Sequence, residues 1–313
     1  MKEIIVYQMG KVASTSIVNS LNRVAQVRAF QSHFLGREAL REILEGLLNP
    51  KTTEYFHTHN LGQLVANISV TRRIETHRLG LSQGDTLAFL SLAREPIDWL
   101  RSAITQDISG HVPSLLTPLS EDDRRGKSED DCVQLGLIYT IGRIASTYEL
   151  LKGVGSDEEF NNRFTEIESS IAFQSRHDFA QFKKMYLLFL RPLTWFEKHF
   201  RPALGFDVAS MDVMGRQIYR KDSGWAKCYL IRYEDLPESM PWVLADLEIA
   251  SAWAASADNV SGGKQRGILV RSAFESPEAD RLRKLVLRDL RSPYVEQFGY
   301  VMSDTLERVE TLT

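Results

Sequence analysis

Apolar positions along this chain follow two patterns. The run Ile4-Ile5-Val6-Tyr7 is continuously apolar and largely β-branched, as a strand buried on both faces would be. It ends at Gly10, after which Ile17, Leu21 and Val24 recur at helical spacing. Residues 18–48 read as amphipathic helices broken around residues 32–36, the second carrying Leu40, Ile43, Leu44, Leu47 and Leu48. Residues 61–80 continue the helical pattern and stop at Gly80. Residues 87–92 form a second buried-strand run leading to Pro96 and a helical stretch through Ile104. Helical periodicity dominates from Val133 to about Phe200, interrupted by Gly153-Val154-Gly155. Strand patterns return at 205–233, where residues 212–220 read as a hairpin, and a last helix covers residues 278–290 ahead of Pro293. Strands alternating with helices predict an α/β fold with a central, mainly parallel sheet. The helical block at about 109–200 reads as an insertion into one domain spanning residues 1–313.

Composition narrows this picture. A chain of 313 residues with 43% hydrophobic content can bury one large α/β core. A net charge of −3 and a pI near 6.2 argue against a general nucleic-acid binder, which would carry a basic face. The two cysteines, Cys132 and Cys228, suggest no disulfide framework and so a reducing compartment. The first strand begins almost at the N-terminus, and no apolar run reaches the roughly 18–20 residues that span a bilayer. These features point to a cytoplasmic protein with no integral membrane segment. The mixed-charge run at residues 121–131 reads as a solvated or mobile segment.

The chemistry is concentrated after the first strand. Gly10 and Lys11 are followed by Val12, Ala13 and three hydroxyl residues, Ser14, Thr15 and Ser16, where a helix opens. Strand, tight loop and helix N-terminus together make an anion site, because first-turn N–H groups lack intrahelical partners and the helix dipole is positive there. The spelling differs from Walker A, which frames a longer loop with two glycines before its lysine. It resembles instead the 5′-phosphosulfate loop of sulfotransferases, whose Lys-x-Gly-Ser/Thr-Ser/Thr-Ser/Trp core matches Lys11 to Ser16. Ala13 stands where that family has glycine, so the loop is expected to manage there without positive φ.

Further segments carry the same resemblance. Arg94-Glu95-Pro96, with Ser102 eight positions beyond Arg94, is similar to the family's 3′-phosphate site. Arginine's planar fork can donate two parallel hydrogen bonds to a phosphate. Tyr55-Phe56-His57-Thr58-His59-Asn60 resembles the His-x-His segment of the polysaccharide 2-O-sulfotransferase branch. Strand alternation would place both imidazoles on one face, with His59 the preferred base and His57 the alternative. His-x-His is also a metal-pair spacing, but no further ligand is spelled nearby. Residues 225–236 resemble the family's late strand ending in Arg-Tyr-Glu-Asp-Leu, whose charges are read as structural. The basic Gly-rich loop with Lys264 and Arg266 is similar in position to the segment that closes over the nucleotide 3′-phosphate, but it lacks the family's Arg-Lys-Gly spelling, and a solvated linker is the alternative reading.

The resemblance implies a P-loop-like three-layer sandwich of sulfotransferase type. It implies 3′-phosphoadenosine 5′-phosphosulfate (PAPS) as co-substrate, no metal, and transfer of a sulfuryl group to a hydroxyl or amine, on a glycan or another alcohol. Gly10, Lys11, Val12, Ala13, Ser14, Thr15 and Ser16 would hold the 5′ end, and Arg94 with Ser102 the 3′-phosphate. A bacterial relative without the Golgi enzymes' anchor is the expected source. Two other readings compete: a P-loop kinase or hydrolase, which would need a Walker register and a magnesium-holding aspartate, and a non-catalytic scaffold on the same fold in surface-polysaccharide synthesis.

Overall fold

A computed structural model describes residues 1–50, 54–82, 86–250, 253, 265–289 and 292–301; the side chains of residues 54–60 lie outside that description. The chain begins β1 (Lys2–Tyr7), α1 (Ser14–Leu21), β2 (Val27–Ser32), α2 (Arg37–Leu48), α3 (Glu54–Arg78) and β3 (Thr86–Ala93). A helical stretch follows: α4 (Pro96–Gln106), α5 (Ile108–Leu116), α6 (Glu121–Arg124), α7 (Glu129–Leu150), α8 (Asp157–Asn162), α9 (Phe164–Ser170), α10 (Arg176–Trp195) and α11 (Arg201–Leu204). It closes with β4 (Asp212–Met214), β5 (Ile218–Asp222), β6 (Lys227–Arg232), α12 (Leu236–Asp246), α13 (Gln265–Ala273), α14 (Pro277–Leu287) and α15 (Pro293–Gln297). Two compact units result: residues 1–94 with 195–259, and residues 95–194 with 260–313. No helix among the described residues is long and apolar enough to cross a membrane.

The first unit holds a six-stranded, mostly parallel open sheet in the order β2-β1-β3-β6-β5-β4. β1 pairs parallel with β2 and β3, β3 pairs parallel with β6, and β4 and β5 are antiparallel additions at one end. The apolar runs of the sequence are its centre: Ile4, Ile5, Val6 and Tyr7 in β1, and residues 87–93 in β3, are buried. The expected hairpin at 212–220 is the β4–β5 pair. β2 corrects the sequence reading, which placed helix there. Val27–Ser32 has no clean strand alternation, and it is held extended by registering Val27 to Ser32 against Lys2 to Tyr7. Val70 and Ile74 of α3 are buried, and Arg73 donates to Glu3 of β1 at 2.6 Å.

The second unit is helical. Its long α7 buries Val133, Leu137, Ile141 and Ile144, and Gly136 permits a close crossing: a Cβ there would lie 1.8 Å from the Leu115 carbonyl oxygen. Phe160, Phe173, Phe179, Phe182 and Tyr186 pack as one aromatic cluster. Buried Asp178 pairs with Arg143 at 2.8 Å. The charge run at 121–131 is solvent-exposed, as expected, and it also forms two capped helix starts, with Ser120 and Asp123 bonding reciprocally at α6 and Ser128 and Asp131 at α7. Acidic side chains in these first turns match the dipole's positive end.

Candidate functional site

Four parallel strands, β2, β1, β3 and β6, end on the same edge of the sheet. The connection from β1 runs to β2 on one side, and the chain then crosses back to β3 on the other side of β1. The edge between β1 and β3 is therefore a topological switch point, where open α/β sheets form their ligand crevice. Lys11 follows β1 and Arg94 follows β3, so both sequence-predicted residues reach this edge. Ser91, a polar residue in the apolar run of β3, donates from Oγ to the Tyr7 carbonyl at 2.6 Å, where the loop leaves β1.

The loop from β1 to α1 has an unusual backbone. Gly10, Lys11 and Ala13 have φ of 79°, 58° and 59°. Ala13 thus occupies the left-handed region, and the expectation of negative φ there is corrected: the alanine takes the glycine conformation. Left-handed backbone costs an L-residue about 1–2 kcal/mol, so Lys11 and Ala13 are strained. Fully buried Val12 anchors the loop between them, and Gln8 Nε2 donates to its carbonyl at 3.4 Å. Ala13 is the N-cap of α1, with no side-chain cap and no acidic residue in the first turn; the first helical bond runs from Ile17 N–H to the Ala13 carbonyl at 2.9 Å. The hydroxyls divide: Ser14 and Ser16 are buried, whereas Thr15 is exposed. Left-handed residues ahead of a helix N-terminus are the kind of backbone in which anion-binding concavities form.

A histidine that the sequence reading missed sits on this loop. His33 follows β2, and a Cβ placed on Gly10 would lie 3.6 Å from its Cε1. Its Nδ1 is 2.7 Å from the Gln8 carbonyl, and its Nε2 is 2.7 Å from Gln31 Nε2. A carbonyl only accepts, so in the neutral ring Nδ1 carries the hydrogen and Nε2 presents its lone pair to the Gln31 amide. Thr15 Oγ1 donates to Gln31 Oε1 at 3.5 Å, linking the first turn of α1 to the imidazole. The signal that could have found His33 is its place directly after a strand; reading the segment before the 32–36 break as helix hid it.

Arg94 braces the same corner. Its Nη1 donates to the Lys11 carbonyl at 2.8 Å, and its guanidinium lies 4.4 Å from the ring centre of Tyr233, just after β6. Arg232 contacts Gln217 at 3.0 Å and Asp235 at 3.2 Å, so the charges of the Arg-Tyr-Glu-Asp segment are tied up at the strand end. Comparison with protein-family models, curated proteins and solved structures finds no match to this chain. The site therefore stands on its own geometry.

Of the other sequence-predicted residues, four are on helices. His57 and His59 are on α3, not on a strand, and positions two apart on a helix are turned about 200° from each other. The strand expectation for this segment is overturned, and the side chains of both residues lie outside the described ones. Ser102 is half-buried on α4 of the helical unit, where Pro96 takes the first helical position and the Glu95 side chain caps Asp98 N–H at 2.6 Å. Arg266 is on α13 of that unit, against Ser109 at 3.3 Å and Glu129 at 3.2 Å. Lys264 lies outside the described residues. The helical unit also has an open cavity of about 760 Å³ between α7 and α14. Two ion pairs line it, Arg281 with Glu149 and Lys284 with Asp280, both at 2.6 Å.

Proposed function

We propose that this chain is a sulfotransferase of P-loop-like, three-layer type. It takes PAPS as co-substrate and transfers the sulfuryl group to a hydroxyl or amine, on a carbohydrate acceptor. The observation that carries this reading is the residue 10–13 loop: left-handed backbone at Gly10, Lys11 and Ala13, opening into an uncapped helix start with a histidine over it. Such a loop suits an anion with no second glycine and no Walker register. The donor set also fits the co-substrate's 5′ end, since Lys11 and the first-turn amides are all donors. Arg94 supports the 3′ end only by its place at the same sheet edge.

In the reaction so assigned, the acceptor oxygen bonds to sulfur as the bond from sulfur to the bridging phosphate oxygen breaks. The electron pair leaves with that oxygen, giving the 3′,5′-bisphosphate. Lys11 and the loop amides stabilise charge growing on the leaving oxygen. His33 is the base in this reading, with His59 of α3 the alternative that the sequence offers: with Nδ1–H fixed by Gln8, the His33 Nε2 takes the acceptor proton. The test is calorimetry with 3′-phosphoadenosine 5′-phosphate against ADP and ATP. The bisphosphate is expected to bind without magnesium and more tightly than ADP, by roughly the 1.5–3 kcal/mol of hydrogen bonds to a charged group. Equal affinity for ADP, or binding that needs magnesium, would refute the reading.

A further inference from the structure

The atom assigned to take the acceptor's proton already has a partner. Gln31 Nε2 stands 2.7 Å from His33 Nε2, the lone pair a base must offer. The other ring nitrogen faces the Gln8 carbonyl at 2.7 Å and cannot serve instead. Gln31 is half-buried at the end of β2, with its amide set between two polar neighbours. Thr15 holds Oε1 from the α1 side at 3.5 Å, which turns the NH2 end toward the imidazole. A donor thus occupies the base from one side, and a carbonyl fixes its tautomer from the other.

We propose that Gln31 is a guard on His33: it occupies Nε2 in the ligand-free protein and is displaced by the acceptor hydroxyl. The inference rests on the sulfotransferase reading for its reaction, though the Gln31–His33 contact does not. Acceptor binding must break the Gln31 bond and replace it with one of equal kind, so the guard lowers acceptor affinity without slowing the transfer that follows. It also discriminates: a weakly bound water or a poorly placed hydroxyl does not displace an amide held at both ends. Gln31 is a positioning residue in this scheme, acting on His33 and not on the transferred group.

Two measurements decide it. The first needs no activity. In the ligand-free protein, the side-chain amide signals of Gln31 in nuclear magnetic resonance should move with pH at the same midpoint as the His33 ring signals, because protonated Nε2 cannot accept from an NH2 group. Gln31 amide signals insensitive to the His33 titration would overturn the guard. The second uses PAPS with a desulfated polysaccharide as acceptor. Gln31→Ala is expected to lower the acceptor KM by about 2–10-fold, the span of one net hydrogen bond, with kcat within twofold. A fall in kcat at unchanged KM would overturn the proposal, because Gln31 would then stay on His33 through the reaction. Should Gln31→Ala fail to fold, nearly isosteric Gln31→Glu serves: its carboxylate favours protonated His33, so kcat/KM should fall at neutral pH and recover as pH rises, whereas an unchanged profile refutes the contact. If no transfer is seen with any acceptor, the functional reading fails, and the Gln31 titration still decides the guard.

Discussion

Ala13→Gly tests the loop directly, whatever the loop binds. Ala13 has φ of 59° and ψ of 26°, and its methyl group makes no cap. Relief of left-handed strain should gain about 1–2 kcal/mol. Glycine's greater freedom in the unfolded chain takes back about 0.4–1 kcal/mol. The net expectation is a stabilisation of roughly 0–1.5 kcal/mol, or up to about 3–6 °C in Tm for a unit of this size. Ala13→Val should move the other way by more than 1 kcal/mol, since a β-branched residue is a genuine outlier at positive φ. Thermal melts followed by circular dichroism, with urea titrations to confirm an unchanged m-value, measure both. A destabilised glycine variant, or a valine variant as stable as the parent, would refute the left-handed conformation and with it the donor concavity. Affinity for 3′-phosphoadenosine 5′-phosphate should be unchanged or improved in Ala13→Gly, because only backbone donors are asked of this position.

His33→Ala should slow sulfuryl transfer by about 10²–10⁴-fold, the usual contribution of a general base, with bisphosphate affinity little changed; His59→Ala should be the milder variant, and the reverse order in a steady-state assay would return the base to α3. Burial pushes the Cys228 thiol up to about 12, and Cys132 is buried too, so iodoacetamide at pH 8 should label neither until denaturant is added, as read by mass spectrometry. Burial raises the Glu95 carboxyl above the ordinary range, against the opposing effect of Arg283. A raised folded-state pKa gives stability that is present below the unfolded pKa and lost as pH rises through the folded one. Glu95→Gln should therefore gain stability relative to the parent as pH climbs from about 4.5 to 7, and parallel stability curves across that window would show that Glu95 is not desolvated.

Much of this protein was legible without its structure. β1 and β3 are buried on both faces, so their apolar runs needed no partner to be read, and the glycine and lysine after β1 marked a tight turn into α1, whose first turn carries the three hydroxyls. Pro96 marked the start of α4, and the strand pattern at 212–220 marked the β4–β5 hairpin. What local pattern could not carry was decided by pairing and approach. Val27–Ser32 becomes a strand only because β1 offers it a hydrogen-bonding edge, and that pairing brings Gln31 and His33 to the loop from more than twenty positions away. His57 and His59 have the alternate spacing of a strand, but they belong to the 25-residue α3. The left-handed Ala13 is the sharpest case. Its sequence argues for negative φ, and the surrounding contacts override it: Val12 buried beneath, Gln8 and Arg94 bonded to the carbonyls of Val12 and Lys11, and the α1 turn bonded to Ala13 itself. Backbone preference at one residue is worth about 1–2 kcal/mol, and a set of buried and hydrogen-bonded neighbours outweighs it only once the fold has brought them together.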